Sequence, residues 1–452
     1  MLVCVTLPCL LYLIQIQSHR SHSLTVTSTK EEFLHQRLQE TPGRTDVKTS
    51  YANTSYTNTS YTNSYPSHSN TSNTSDTKVD LRQVTNPLEK TKSSSIDPTT
   101  RTKQHNIVFG KVHKAASSTM HNILTRFALT NNLNLLINSK FPHINEFGYR
   151  IDEKTLVPKP CGSSFHILCN HLIFNRREIS RYFPSNTVYL GIVREPFRQF
   201  LSAFVYYSYV WPQDVNKEVI RKDPNNPIEE FLTQSSYYLR RSPPNTIMIN
   251  NRMSVDFGFP IQNFEQSKTN ASKISEFVNS LNQMFDFVLI VEYFDESLVM
   301  LRRLLNWTTK DIIYIKNNVQ QARHDWLPFV NRTDYPDHVK SKFEQFASLD
   351  LAVYRHFRQI FLQRLTSQPP DFYSEVKAFR QVRNTVTEYC SSLFADRKRN
   401  NVLDIPGSEF TGSFNLSTQD CVLLADEEIT LTNKATQAQF RRAESMHQCP
   451  PN

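Results

Sequence analysis

Ile107-Val-Phe-Gly-Lys-Val-His-Lys-Ala-Ala-Ser-Ser-Thr119 joins a short apolar run to a turn made of small and basic residues. Beyond it, Met120, Ile123, Leu124, Phe127 and Ala128 recur at the i, i+3, i+4, i+7, i+8 spacing of one helical face. The pattern predicts a buried strand over residues 107–109 that passes through the turn directly into a helix. Such a turn presents consecutive backbone N–H groups and the positive end of a helix dipole, which together bind a phosphate or sulfate. Lys111 and Lys114 bring ammonium groups, Ser117, Ser118 and Thr119 bring hydroxyl donors, and Ala115 and Ala116 keep the turn small. The plainer alternative is a structural turn that only starts the helix.

A second strand candidate, residues 187–193, leads into Arg194-Glu-Pro-Phe-Arg-Gln-Phe-Leu-Ser202. Pro196 suits the first turn of a helix, which would carry Ser202 about two turns along. The Arg194 fork and the Ser202 hydroxyl can grip a second phosphate. Residues 164–168, 285–291 and 312–315 also read as strands, and residues 228–240, 297–305 and 339–365 as helices. Strands alternating with helices imply an α/β protein with a mostly parallel central sheet flanked by helices. Ligands of such sheets gather at the carboxyl ends of the strands, where both candidate phosphate contacts stand.

Composition removes several alternatives. The chain has 8 glycines in 452 residues, about 1.8% against a usual value of roughly 7%. They form no Gly-x-Gly-x-x-Gly, and the one pair at Walker spacing, Gly407 and Gly412, is followed by Ser413 and Phe414. Rossmann and ordinary P-loop nucleotide cradles are therefore excluded, although small residues other than glycine can still line one. No Asp-x-Asp occurs, which removes the common metal-dependent nucleotide-sugar site. The net charge of +9 suits anionic ligands, and no basic run is dense enough to suggest nucleic acid. Length and 38% apolar residues allow one large domain or two ordinary ones.

Residues 1–17 are apolar nearly throughout and read as a secretory signal or short signal-anchor. Residues 18–105 read as a disordered Ser/Thr/Asn-rich stem, too poor in large aliphatic side chains to offset the entropy of ordering. Asn-x-Ser/Thr acceptors stand at Asn53, Asn58, Asn70, Asn73, Asn270, Asn306, Asn331 and Asn415, the first four within the low-complexity run of residues 51–75. Beyond the stem, Cys161, Cys169, Cys390, Cys421 and Cys449 allow two disulfides in an oxidising lumen with one thiol left over. Residues 106–452 remain as the catalytic region.

The segments Lys111-Val-His-Lys-Ala-Ala-Ser-Ser-Thr119, His121-Asn-Ile-Leu-Thr-Arg-Phe127, Cys169-Asn-His-Leu-Ile-Phe-Asn175, Glu292-Tyr-Phe-Asp-Glu-Ser-Leu-Val299 and Tyr354-Arg-His-Phe357 resemble the galactose 3-O-sulfotransferase family, which includes galactosylceramide sulfotransferase. The resemblance runs from about residue 106 to about residue 365. It implies a P-loop-like sulfotransferase fold and a single-pass type II Golgi membrane protein with a lumenal catalytic domain. The implied reaction moves sulfate from 3′-phosphoadenosine-5′-phosphosulfate (PAPS) to the 3-hydroxyl of terminal galactose on a glycolipid or glycoprotein.

By the same resemblance, residues 111–119 are the 5′-phosphosulfate site, Arg194 with Ser202 the 3′-phosphate site, and His171 the catalytic base, with Lys114 at the leaving oxygen. Sulfuryl transfer is a matter of in-line positioning and of stabilising charge on the leaving oxygen, so no metal is required. Neutral histidine has a suitable pKa to activate a sugar hydroxyl. The chain departs from the family at Val112 and Ala115, where threonines are common, and at Ile173, where arginine is usual. The last departure leaves the acceptor contacts open. His113, His166, Glu292 and Asp295 are secondary candidates, Asp295 reading mainly as an N-cap, and Lys316 and Arg323 could contact the nucleotide or an acidic acceptor. Rival readings are a uronyl or hexosamine sulfotransferase and a non-catalytic glycan-binding protein that keeps the fold.

Overall fold

Four apolar runs pair as one all-parallel sheet in the order β2-β1-β3-β4, with β1 at Ile107–Gly110, β2 at Ile167–Leu168, β3 at Val188–Val193 and β4 at Phe287–Ile290. Phe109 stands opposite Leu190, and Leu190 opposite Phe287. Because helices cover both faces, the strands are continuous apolar runs and not alternating ones. The computed structural model describes residues 102–140, 143–209, 214–315, 334–395 and 402–445, all within the unit Arg82–Asn452. The apolar N-terminal segment, residues 18–101 of the stem with Asn53, Asn58, Asn70 and Asn73, and Lys316, Arg323, Asn331 and Cys449 lie outside the described residues. The last stem residues belong to the folded region instead, Lys103 pairing with Asp311 and the Gln104 amide donating to the Leu305 carbonyl.

The chain runs from β1 outward to β2, then back across β1 to β3. Direction therefore reverses between β1 and β3, and the loops leaving their carboxyl ends diverge to open a crevice there. The β1 loop enters α1 (Ser117–Thr130), and Pro196 begins α2 (Pro196–Tyr209) after β3. Beneath the crevice lies the short α3 (Arg252–Asp256). β4 leads to α4 (Phe294–Leu305), and α5 (Ser348–Thr366) and α6 (Phe372–Ala395) complete the helical cover. A second, aromatic cluster of Phe200, Phe204, Phe231, Phe343 and Phe346 seats α2.

Several expectations need correction. Of residues 164–168 only Ile167 and Leu168 pair as strand, because the amide of His166 bonds to Asn134 instead. Residues 312–315 are no strand: Ile312 ends a short helix, Thr309–Ile312, opened by a Thr308/Asp311 capping box. The apolar run there exists because Ile312 and Ile313 are buried in the core. Asp295 is no N-cap either. It lies inside the first turn of α4 and binds Tyr314 Oη (2.8 Å), Arg380 Nε (2.8 Å) and Arg383 Nη1 (2.6 Å), tying α4 to α6. The helical pattern over 339–365 breaks at Ala347, and that over 228–240 at Gln234.

The C-terminal region, for which the sequence offered no pattern, folds back on the sheet domain. A hairpin of β5 (Leu403–Ile405) and β6 (Phe414–Leu416) precedes α7 (Thr418–Ala425), whose start is fixed by a Ser417/Asp420 capping box. A disulfide between Cys390 and Cys421 joins α6 to α7 across 31 residues, Cys161 is also disulfide-bonded, and Cys169 is a buried free thiol. The last helix, α8 (Glu428–Ser445), packs along α1. Its Thr432 hydroxyl meets His121 Nε2 at 3.1 Å, and Gln439 exchanges hydrogen bonds with the Leu135 amide (2.8 Å) and carbonyl (3.1 Å). Asn270, Asn306 and Asn415 are all exposed. Asn270 spends its Oδ1 on a helix cap at the Lys273 amide, leaving Nδ2 for a glycan.

Gly258 ends α3 at φ +91°, and a Cβ there would stand 2.3 Å from the Phe174 carbonyl oxygen. The contact keeps α3 flush with residues 170–174, where the Phe174 amide donates to the Asp256 carbonyl at 2.8 Å. Gly258→Ala therefore should cost roughly 3 kcal/mol or more, from left-handed backbone strain plus a forced backbone shift. Gly162 has φ +71° but open space around it, so Gly162→Ala should cost only about 1 kcal/mol. Denaturant unfolding of the two variants checks the ranking; equal losses would refute it.

Candidate functional site

The loop between β1 and α1 carries two left-handed residues that are not glycine, Lys114 at φ 60° and Ala116 at φ 53°. Each costs on the order of 1 kcal/mol, and such strain persists only where surroundings over-determine the backbone. Three contacts do so here. The His113 amide donates to Asp256 Oδ2 (2.8 Å), Gln199 Nε2 donates to the His113 carbonyl (2.9 Å), and Arg194 Nη1 donates to the Lys114 carbonyl (2.9 Å). Held this way, Ala116 becomes the N-cap of α1 without a side-chain cap, and the amides of Ala115, Ala116, Ser117 and Ser118 make no hydrogen bond among the described residues.

The helix after the neighbouring strand is different. Glu195 folds its carboxylate over the start of α2, accepting from the amides of Phe197 (3.0 Å) and Arg198 (2.8 Å). The α2 terminus is thus filled by its own anion, whereas α1 presents open donors. An oxyanion at the crevice meets the α1 dipole and amides.

Lys114 is mostly buried with its Nζ 3.6 Å from the centre of the Tyr206 ring. Burial, and then the nearby Arg194 guanidinium, push its pKa down to about 8. Ser117 is buried, Thr119 half-buried, and Ser202 half-buried on α2 with no side-chain hydrogen bond among the described residues. Two other expected donors are already engaged: buried Lys111 forms an ion pair with Glu428 of α8, and Ser118 Oγ donates to Glu428 Oε2 at 3.2 Å. Arg194 is likewise committed to the loop carbonyl.

Beside the loop lies a layer of histidines. His171 is buried and stacks on His113, with ring centres 3.8 Å apart and planes 15° apart, and His143 approaches His171 edge-on at 5.2 Å. His113 has both ring nitrogens on carboxylates, Nδ1 at Asp256 (2.9 Å) and Nε2 at Glu146 (3.1 Å). Buried Arg252 holds Asp256 in turn, Nε to Oδ1 at 2.8 Å. His171 Nδ1, by contrast, has no hydrogen-bond partner among the described residues. Burial first, then the neighbouring His113, Lys111, His143 and Arg252, holds the His171 imidazole well below the usual histidine range, so it is neutral at physiological pH. A neutral imidazole with an unpartnered nitrogen can accept a proton; His113 is committed to orienting it.

Other sequence candidates fall elsewhere. His166 Nδ1 accepts from the Asn134 amide at 3.1 Å. Glu292 accepts from the Glu195 amide (2.9 Å) and from Tyr354 Oη (3.1 Å), bracing the end of β3. Ile173 is buried in the core cluster. His143, Glu146, Arg252, Asp256 and Glu428 escaped the sequence reading, because they come from segments with no strand-turn-helix signature. One atom each of His143, His171 and Glu428 lie within 4.8 Å of one another, but the ammonium of Lys111 already takes the cation position on that carboxylate. A separate surface cavity of about 690 Å³ opens beside the end of β3, lined by Glu195, Tyr354, Arg355 and Arg358 among others and by none of the loop residues.

A family model described as galactose-3-O-sulfotransferase matches residues 61–402. The chain is 29% identical to galactose-3-O-sulfotransferase 3 of Mus musculus over 364 residues, covering 76% of this chain and 80% of that protein. It is 32% identical to galactose-3-O-sulfotransferase 2 of Homo sapiens over 292 residues, covering 63% and 68%. It is 30% identical to galactosylceramide sulfotransferase of Homo sapiens over 292 residues, covering 64% of each chain.

The charge on Lys114 gives anion binding a defined pH dependence. Affinity for inorganic sulfate, which stays a dianion across this range, should be flat below pH 7 and fall as pH rises through about 8, where the free ammonium loses its proton. Lys114→Ala should weaken binding by roughly tenfold or more, the worth of one charge-assisted contact, and abolish that dependence. Lys114→Arg should retain binding above pH 8. Calorimetric titration over pH 6–10 measures all three; a wild-type curve that does not bend near pH 8 would contradict the assignment.

Proposed function

Since the chain belongs to the galactose-3-O-sulfotransferase family and is a sulfotransferase, we propose that it transfers the sulfuryl group of PAPS to the 3-hydroxyl of a terminal galactose. The observation that carries this reading is the pairing of an uncapped helix terminus with a neutral imidazole whose Nδ1 has no partner among the described residues. The α1 amides and Lys114 suit the 5′-phosphosulfate, in a P-loop-like arrangement built without glycine. Arg194 and Ser202, at and beyond the end of β3, suit the 3′-phosphate that distinguishes this nucleotide from ADP or ATP. Reaching it would require Arg194 to share its guanidinium between the phosphate and the Lys114 carbonyl, for which its fork has donors enough.

The chemistry follows from those placements. His171 takes the proton of the galactose hydroxyl as the oxygen attacks sulfur in line. The bond from sulfur to the bridging oxygen breaks, and its electron pair leaves with the 5′-phosphate. Lys114 and the loop amides stabilise the charge that develops on that oxygen, in fixed positions that need no reorganisation during the step. No step calls for a metal. The stacked His113, pinned between Asp256 and Glu146, keeps the His171 ring from turning away.

The apolar segment at residues 1–17 and the sequon-rich stem support placement as a type II protein of the Golgi membrane with the catalytic region in the lumen. Among the described residues no helix is long and apolar enough to cross a membrane. Acceptors on this reading are galactose-terminated glycolipids or glycoproteins. With Ile173 inside the core, the sugar must be held by other side chains than the arginine usual in the family.

Labelled PAPS offered with galactosylceramide, N-acetyllactosamine and heparan acceptors tests the reading. The two galactosides should gain sulfate at the 3-position and heparan should not, and the preferred galactoside separates glycolipid from glycoprotein use. His171→Gln should lower kcat by about 10²- to 10⁴-fold with little change in nucleotide affinity, and Arg194→Ala should erase the preference for 3′-phosphoadenosine-5′-phosphate over ADP. Folded, nucleotide-binding protein that sulfates no galactoside would sink the proposal.

A further inference from the structure

Glu428 opens α8, beyond residues 61–402 that match the family, yet it reaches into the crevice. Its carboxylate pairs with Lys111, whose side chain is wholly buried, and accepts from Ser118 Oγ at 3.2 Å. It also has an oxygen within 4.8 Å of a ring nitrogen of both His143 and His171. One side chain from the C-terminal helix thus touches the β1 loop and the first turn of α1, and lies beside the histidine layer. Its position is rigid, because Leu431, Thr432, Ala435 and Gln439 of the same helix are buried against the domain.

We propose that Glu428 is a positioning residue of the transfer site, whose carboxylate balances the charge of Lys111 beside His171 so that the imidazole can take and hold the acceptor's proton. The proposal rests on His171 as the base. The charge count around that ring explains why a carboxylate is needed. Lys111 from the β1 loop, Arg252 from α3, and His113 and His143 when protonated all present positive charge to His171. On the other side of the balance, Asp256 of α3 is shared by Arg252 and His113, and Glu146 by His113 and His143. That leaves Glu428 as the carboxylate matched to Lys111.

Without it, a buried ammonium would stand uncompensated next to a ring that must become imidazolium during the reaction. Lone buried charges are strongly disfavoured, and a second cation beside one is worse. The carboxylate is itself held far below the usual glutamate range, by Lys111 first and then by His121, which offset the opposing effect of burial, so it stays ionised across the working range.

The test uses the full chain with isotope-labelled histidine, comparing wild type, Glu428→Gln, Glu428→Asp, Lys111→Met and the double variant Lys111→Met/Glu428→Gln. Glu428→Gln should move the His171 titration to lower pH by about one unit and lower kcat at least tenfold. Affinity for 3′-phosphoadenosine-5′-phosphate should stay within about threefold of the wild type, with Glu428→Asp intermediate. Lys111→Met should move the titration in the opposite direction. The double variant removes both charges and so avoids the misfolding risk of one lone buried ion; it should titrate near the wild type. Opposite shifts with recovery in the double variant are a pattern a purely structural contact would not give. An unmoved His171 titration in Glu428→Gln, or a double variant displaced as far as that single one, overturns the proposal. Shifts as expected in a wild-type protein that sulfates nothing would instead overturn the transfer reading of the site.

Discussion

The conformation of four residues, from His113 to Ala116, governs the rest of the crevice. Two of them occupy left-handed backbone that side-chain-bearing residues resist, and the structure holds them there by hydrogen bonds from α2, α3 and the end of β3. The return for that strain is an α1 terminus without a cap. A serine or aspartate at position 116 would satisfy the first amides internally, and Glu195 shows what that looks like on α2. Leaving α1 open costs helix stability and reserves its donors for a ligand.

The same clamps connect the loop to the histidine layer. Asp350 of α5 accepts from the amides of Ser254 (2.8 Å) and Met253 (3.2 Å), which fixes the start of α3. α3 aims Arg252 and Asp256, Asp256 binds both the amide and the ring of His113, and His113 stacks on His171. Loop geometry and ring orientation are therefore not independent. A displacement of α3 moves the phosphate cradle and the candidate base together, which is why Gly258, at the end of α3, sits where backbone must touch backbone.

What could be read in the sequence was local. The strand at residues 107–109, the turn and the α1 stripe declare themselves within about twenty residues, and so do β3, Pro196 and the start of α2. Their placement on adjacent parallel strands follows from the α/β pattern. Misreadings arose where a local signal had a nonlocal cause. Residues 312–315 are apolar because they are buried, not because they pair, and Asp295 stands near a helix start but is anchored by Arg380 and Arg383 some 85 residues away. Lys111 looked like a phosphate ligand, but its partner is Glu428, and no periodicity or spacing relates positions 111 and 428. His143 and Glu146 were invisible for the same reason.

Scarcity of glycine ties these points together. A glycine-rich cradle reaches left-handed backbone freely, but it also leaves a flexible loop that must be ordered when the ligand arrives. Alanine and lysine at positions 116 and 114 have few such states available in the unfolded chain, and in the fold they adopt them only because Asp256, Gln199 and Arg194 insist. The loop is then set before any anion binds, and the ordering entropy is charged to folding. Such an arrangement needs a large scaffold, since each clamp comes from a different element, and it explains why a chain of this size builds its crevice from so many distant parts. By this logic the C-terminal hairpin, the disulfide at Cys390 and Cys421, and α8 belong to the site as much as the β1 loop does: they bring to Lys111 the carboxylate without which its burial beside His171 would be untenable.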